Sequence, residues 1–246
     1  MKTLFSAIAP GSPETALAGL RKRWADAQHI ERPTAEANTL LLYGSIGPDW
    51  WSEDGGITHD SVTSWLASAP GPEVVVRINS PGGDVFEGVG IYNALLTWQA
   101  AAPGRKISVK VDAIAASIAS VIAMAGDEIT VAGNAMVMIH RASTMAWGNA
   151  AAMQSTADVL GKIDATILAT YVERTGQTIE DLTAWLDAET YMTAAEAVAR
   201  GFADKAEPLK GRPTADPESA ARLATARLLH AKAMQERIAA RMTASN

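Results

Sequence analysis

Ala113-Ile114-Ala115-Ala116-Ser117-Ile118-Ala119-Ser120-Val121-Ile122-Ala123-Met124-Ala125-Gly126 is too apolar to lie on a surface. Its Ala, Ile and Met content reads as a buried helix, and Gly126 is a natural stop. Ile114–Ala125 falls short of the roughly 18 apolar residues that a membrane span needs. The stretch therefore needs a core around it, and the chain has material for one: 246 residues, 48% of them hydrophobic. Ser117 is expected at the first turn, where unpaired N–H groups and the positive dipole end favour negative charge. A hydroxyl there is well placed to act as a nucleophile. A serine in an Ala-rich helix is more often a filler bonded back along the helix, and Ser120, one turn deeper, is the obvious decoy.

The flanking segments alternate between strand and helix patterns. Leu40–Gly44, Glu73–Asn79, Ile107–Val111, Glu128–Val131 and Met136–Ile139 read as strands. Helices are expected at Ile57–Ala67 with Thr58 as N-cap, Val85–Trp98, Ala150–Thr175 closed by Gly176, and Ile179–Leu186. Thr193-Ala194-Ala195-Glu196 is a capping-box pattern that opens a short helix ended by Gly201. This alternation predicts an α/β fold with a mostly parallel sheet. Residues 1–37 carry Pro10, Gly11, Pro13 and Pro33 around one helix, Thr15–Gln28, and read as an N-terminal arm. Residues 208–246 read as a linker and an Ala/Arg-rich C-terminal helix over Glu218–Met242, which leaves 38–207 as the core domain. The net charge of −6 argues against a nucleic-acid surface, and no run is long enough for a membrane span. The absence of cysteine excludes disulfides, thiolate catalysis and cysteine-bound metals. We expect a soluble, cytoplasmic protein.

Around Ser117 stand three further segments with chemical potential. Asn79-Ser80-Pro81-Gly82-Gly83-Asp84 is a strand–turn–helix corner. Its glycines let a backbone approach a ligand closely, although such corners are also common structural features. Met136-Val137-Met138-Ile139-His140 delivers a histidine at the end of a core strand, where an imidazole can act as general base. His29, His59 and His230 lie outside such positions. Asp187-Ala188-Glu189-Thr190-Tyr191-Met192 offers two carboxylates, either of which could orient that imidazole.

Asn79-Ser80-Pro81-Gly82-Gly83, Ala115-Ala116-Ser117, Met138-Ile139-His140 and Tyr191-Met192-Thr193-Ala194-Ala195-Glu196-Ala197 together resemble the ClpP-type serine peptidases, over about residues 38–207. The resemblance implies a ClpP/crotonase-like fold of repeated β-β-α units, with a mostly parallel sheet and a projecting long helix. It implies Ser117 as nucleophile, His140 as base, and the Gly83 and Ile118 amides as oxyanion hole, with Gly82 and Gly83 against the substrate. The family usually has Asp two residues before the aromatic. Here that position holds Glu189, the expected third triad member, with Asp187 as the competing choice. No metal or organic cofactor is implied.

The flanks depart from the cellular family. A Pro-broken arm and a Trp50-Trp51 pair stand where the cellular proteins carry the segment of their axial loops, and the C-terminal helix is extra. In this the chain resembles the ClpP-related head maturation proteases of tailed bacteriophages and prophages. That resemblance implies an ATP-independent endopeptidase acting on capsid or scaffold proteins, in the host cytoplasm or within the prohead. The competing readings are an ATP-dependent ClpP subunit served by a Clp unfoldase, an acyl-CoA-binding crotonase relative, and a scaffold with a vestigial triad. Met153, Leu160, Ile163, Ile167 and Tyr171 form an apolar stripe on the long helix, expected to be buried against another copy in a ring-forming homo-oligomer, the alternative being a helix that packs back on its own sheet.

Overall fold

The structure is a computed structural model, and it describes residues 36–48 and 56–208. The expected helix at Thr15–Gln28, the Trp50–Trp51 pair and the helix at Glu218–Met242 lie outside the described residues.

Strands β1 (Thr39–Tyr43), β4 (Glu73–Ser80), β5 (Lys106–Ala116), β6 (Glu128–Ala132) and β9 (Lys205–Glu207) lie side by side in the order β1-β4-β5-β6-β9, every pair parallel. Strand β7 (Met136–Ile139) pairs parallel with the end of β5, and β8 (Thr190–Thr193) adds the one antiparallel pairing of this sheet. A small antiparallel pair, β2 (Gly47–Pro48) and β3 (Gly56–Ile57), lies off the sheet. The helices are α1 (His59–Ser68), α2 (Val85–Ala100), α3 (Ile118–Ala123), α4 (Ala150–Thr175), α5 (Ile179–Asp187) and α6 (Ala194–Ala199). Parallel neighbours need long crossovers, and helices supply them.

The core sits on one sheet face. Val74, Val76 and Ile78 of β4 and Ile107, Val109 and Val111 of β5 are buried, while Val75 and Arg77 on the opposite face are half-buried. The period-2 pattern of these β-branched runs thus selects a face. Two capping boxes fix helix starts, Thr58 with Ser61 at α1 and Thr193 with Glu196 at α6. The Thr193 bonds hold the Glu196 carboxyl below its ordinary range.

One feature of β5 decides the site. Ile78 pairs with Val111, but Ser80 pairs with Ala115, so the ladder shifts register between them. Before the shift β5 pairs with β6, and after it with β7. The irregularity makes β5 change neighbours. Asp112 lies within it, held by Arg77 through Nε at 2.9 Å and Nη2 at 2.7 Å and by the Tyr43 hydroxyl at 2.6 Å. Burial and the adjacent carboxylate push the Tyr43 hydroxyl up to about 12.

Two expectations are corrected, and two strands of the main sheet are added. Ala113–Ala116 are strand, not the start of a helix, and the helix is confined to Ile118–Ala123. Pairing with Ser80 on one side and Met136–Met138 on the other overrides the helix propensity of alanine. The strands β8 and β9 were not expected, since neither carries a clear alternating pattern. The stripe on α4 divides: Ile167 and Tyr171 are buried in the chain's own core and Ile163 packs against it, whereas Leu160 is half-buried and Met153 is 39% exposed.

Candidate active site

The ends of β4, β5 and β7 converge. At the carboxyl end of a parallel sheet the following turns are free to form a site. After β4 the chain turns through Pro81, Gly82 and Gly83, after β5 it reaches Ser117, and after β7 it reaches His140.

Ser117 occupies a strand-to-helix corner with φ 56° and ψ −131°, a conformation that L-residues rarely adopt. Its surroundings hold it there. The Ser117 N–H donates to Met138 O at 2.9 Å, and the Ser117 carbonyl accepts the Ser120 N–H at 2.9 Å. The tight corner lifts the side chain out of the sheet, and Ser117 Oγ lies 2.8 Å from His140 Nε2. With the imidazole neutral and its proton on Nδ1, the serine hydroxyl donates to Nε2, the arrangement in which a base can take the serine proton.

The glycine turn packs directly on this corner. A Cβ on Gly82 would stand 2.6 Å from Ser117 Cβ and 2.8 Å from Ala116 O. A Cβ on Gly83 would stand 2.0 Å from Ile46 O. Ile46 straddles Gly83, its N–H donating to Gly82 O and its carbonyl accepting from the Asp84 N–H, both at 2.8 Å. The Gly82 N–H donates to the buried Ser80 hydroxyl at 3.1 Å. The Gly83 and Ile118 N–H groups donate to no acceptor among the described residues. Both residues line a cleft of about 350 Å³, together with Ser117 and His140. Val121 of α3 and Leu160, Ile163 and Ile167 of α4 give that cleft an apolar wall.

The two expected acids are placed differently. Asp187 is taken by Arg141: the Arg141 Nε donates to its Oδ1, and Arg141 Nη1 reaches Asp164 Oδ2 at 3.2 Å. Asp164 Oδ1 also accepts the Ala142 N–H at 2.8 Å. The guanidinium holds the Asp187 carboxyl below its ordinary range. Glu189 is exposed, with φ 48°, and its carboxylate makes no hydrogen bond or ion pair among the described residues. The antiparallel ladder of β7 and β8 runs to Ile139 opposite Thr190. His140 follows the first member of this last pair in the chain, and Glu189 precedes the second. The structure therefore brings Ser117, His140, Gly82, Gly83 and Ile118 together, turns Asp187 towards Arg141, and leaves the Glu189 carboxylate without a bond to His140. Sequence reasoning missed Arg141 and Asp164. The only signal was a cation next to His140 and an acid on α4.

Known proteins share part of this sequence. The chain is similar to the ATP-dependent Clp protease proteolytic subunits of two strains of Bacteroides fragilis, ATCC 25285 and YCH46. It is 30% identical to each over 138 residues, which is 55% of this chain and 64% and 60% of those proteins. The match thus spans less than two thirds of the length of these relatives. The sequence profile of the Clp protease family matches residues 62–207, more than half of the chain, a span that includes Gly82, Gly83, Ser117, Ile118, His140 and Glu189. The chain belongs to the Clp protease family and has its mixed α/β fold with a mostly parallel sheet.

Proposed function

We propose that the chain is a serine endopeptidase. The observation that carries this reading is the 2.8 Å approach of Ser117 Oγ to His140 Nε2 at a strained corner, beside two undirected backbone N–H groups. Ser117 Oγ attacks the peptide carbonyl carbon while His140 Nε2 takes its proton. The carbonyl oxygen, now negative, is stabilised by the Gly83 and Ile118 N–H groups, an electrostatic contribution worth roughly 2.7–4 kcal/mol for one such donor. His140 gives its proton to the leaving amine. Water then hydrolyses the acyl-serine with His140 again as base. Glu189 is the acid that orients the imidazole, on the strength of its place next to Thr190, where the ladder of β7 and β8 ends one residue before His140, and of the commitment of Asp187 to Arg141. The apolar cleft wall suits substrates with an apolar side chain at the scissile residue.

In the finer reading, the protein is an ATP-independent head maturation protease of a tailed phage or prophage. It acts on capsid or scaffold proteins in the host cytoplasm or within the prohead, as a ring-forming homo-oligomer. The Pro-broken arm, the additional C-terminal segment and Glu189 in place of the usual Asp support it. The names of the relatives favour the other reading, a proteolytic subunit that works with a Clp unfoldase. A fluorophosphonate probe with mapping of the modified residue tests the chemistry: the adduct is expected on Ser117, absent in Ser117→Ala, and an adduct elsewhere refutes the assignment. Degradation of a folded protein substrate without ATP or an added Clp ATPase separates the two finer readings.

A further inference from the structure

Beneath the nucleophile lies a buried polar pair. Ser120 is fully buried and Tyr171 is 1% exposed. Ser120 Oγ lies 2.6 Å from Ser117 O and 2.8 Å from the Tyr171 hydroxyl. A carbonyl can only accept, so the Ser120 proton lies on the bond to Ser117 O, and Tyr171 must then donate to Ser120 Oγ. The result is a one-way chain: Tyr171 O–H to Ser120 O–H to the Ser117 carbonyl. That carbonyl also accepts the Ser120 N–H at 2.9 Å, so it is held from two sides.

The Ser117 carbonyl belongs to the same peptide unit as the Ile118 N–H. A trans peptide is planar, and its C=O and N–H point in opposite directions. Pinning the carbonyl down into the core therefore aims the Ile118 N–H up at the cleft. Hydrogen bonds in series also polarise one another, which strengthens the N–H as a donor. The pin matters because ψ of Ser117 is −131° next to a positive φ, so the peptide is held in a conformation it does not prefer. Stability alone does not call for the pair, because replacing both members of a buried hydrogen bond by apolar groups of similar shape can be nearly neutral. Alanine and phenylalanine would fill the same space.

We propose that Ser120 and Tyr171 are positioning residues that lock the Ser117–Ile118 peptide in the orientation from which its N–H receives the oxyanion. This rests on the peptidase reading above. It gives Ser120 a role distinct from the nucleophile, and it ties α4 to the reacting centre through one hydroxyl.

The test uses Ser120→Ala, Tyr171→Phe and the double variant of the full chain, each removing oxygen atoms only. With a fluorogenic peptide, Ser120→Ala is expected to lower kcat about tenfold, less than the roughly 10²–10³ lost with a whole oxyanion donor. KM is expected to stay within about twofold, because the hole binds the transition state more than the substrate. Affinity for a peptide aldehyde, which forms the tetrahedral adduct, is expected to fall in parallel with kcat. Tyr171→Phe is expected to lose less, and the double variant no more than Ser120→Ala, because the two hydroxyls act in series. Unchanged kcat in folded Ser120→Ala, a loss confined to KM, or independent losses that multiply in the double variant would each overturn the proposal. Failure of the peptidase reading looks different, since the wild type then takes no probe at Ser117. In that case, crystal structures of wild type and Ser120→Ala still decide the point: the 117–118 peptide is expected to rotate in the variant, and an unmoved peptide refutes the lock.

Discussion

Replacing Gly82 by alanine perturbs the site through a distance that can be read directly. The new Cβ would lie 2.6 Å from Ser117 Cβ, 2.8 Å from Ala116 O and 3.2 Å from Ser117 Oγ. Ordinary contact begins near 3.4 Å, so the turn and the nucleophile must separate by about 0.8 Å. Neither Ser117 Cβ nor a backbone oxygen can rotate away, so the movement falls on the corner itself. A misplacement of about 1 Å at a reacting centre costs roughly 10²-fold in rate. We expect a loss of that order in kcat. The backbone adds a separate cost, because φ of Gly82 is +96° and a left-handed conformation costs an L-residue roughly 1–2 kcal/mol. Gly71→Ala separates the two effects. Gly71 has φ +77° with no atom within 4 Å of its Cβ position, so alanine there meets strain without a clash. The assays are steady-state cleavage of a fluorogenic peptide and urea denaturation for both variants. Gly71→Ala is expected to lose about 1–2 kcal/mol of stability and to keep full activity. If Gly82→Ala cleaves within threefold of wild type, or if Gly71→Ala loses activity to the same extent, the steric argument fails.

The acids are separated by paired amides: Glu189→Gln is expected to lower kcat by as much as ~10⁴-fold, as loss of a triad carboxylate can. Asp187→Asn is expected to cost far less, and the reverse ranking would transfer the role to Asp187. Burial pushes the Tyr171 hydroxyl above its ordinary 10, so folding holds a proton that the unfolded chain loses. The sign is that this contribution is complete below pH 10 and is lost as pH rises. Between pH 10 and 11 urea midpoints should show wild type losing up to ~1.4 kcal/mol per pH unit more than Tyr171→Phe. Equal slopes would mean that the hydroxyl is not buried. For assembly, Val159→Asp is the informative change, because Val159 is 48% exposed on the half of α4 that leaves the core. Sedimentation should show a homo-oligomer weakened by Val159→Asp with the melting temperature of the dissociated chain unchanged, and a wild type that is active and monomeric near 26 kDa would refute the assembly.

Local chemistry in the sequence determined much of this protein. Strands β4, β6 and β7 carry β-branched and apolar runs, and α2, α4 and α6 carry their own caps in Asp84, Asn149 and Thr193, so these elements were legible from neighbouring residues alone. The pairing of Ser117 with His140 was also legible, because each ends a recognisable core segment and both belong to a set of motifs in a familiar order. Only the tertiary structure decided the rest. Ala113–Ala116 became strand because two neighbouring strands pair with it, a long-range effect that alanine's local preference opposes. Ile167 and Tyr171 turned inward while Met153 stayed outside, although one helical period links them, because the core lies beneath only part of α4. Asp187 and Glu189 are two residues apart and chemically alike. Their difference comes from Arg141 at the end of β7 and Asp164 on α4, residues 46 and 23 positions away in the chain from Asp187, since an ion pair depends on distance in space and not along the sequence. The same holds for Ser120, whose residue type fits a filler and whose place beneath the Ser117 carbonyl, with Tyr171 arriving from 51 residues away, exists only once the helices have packed.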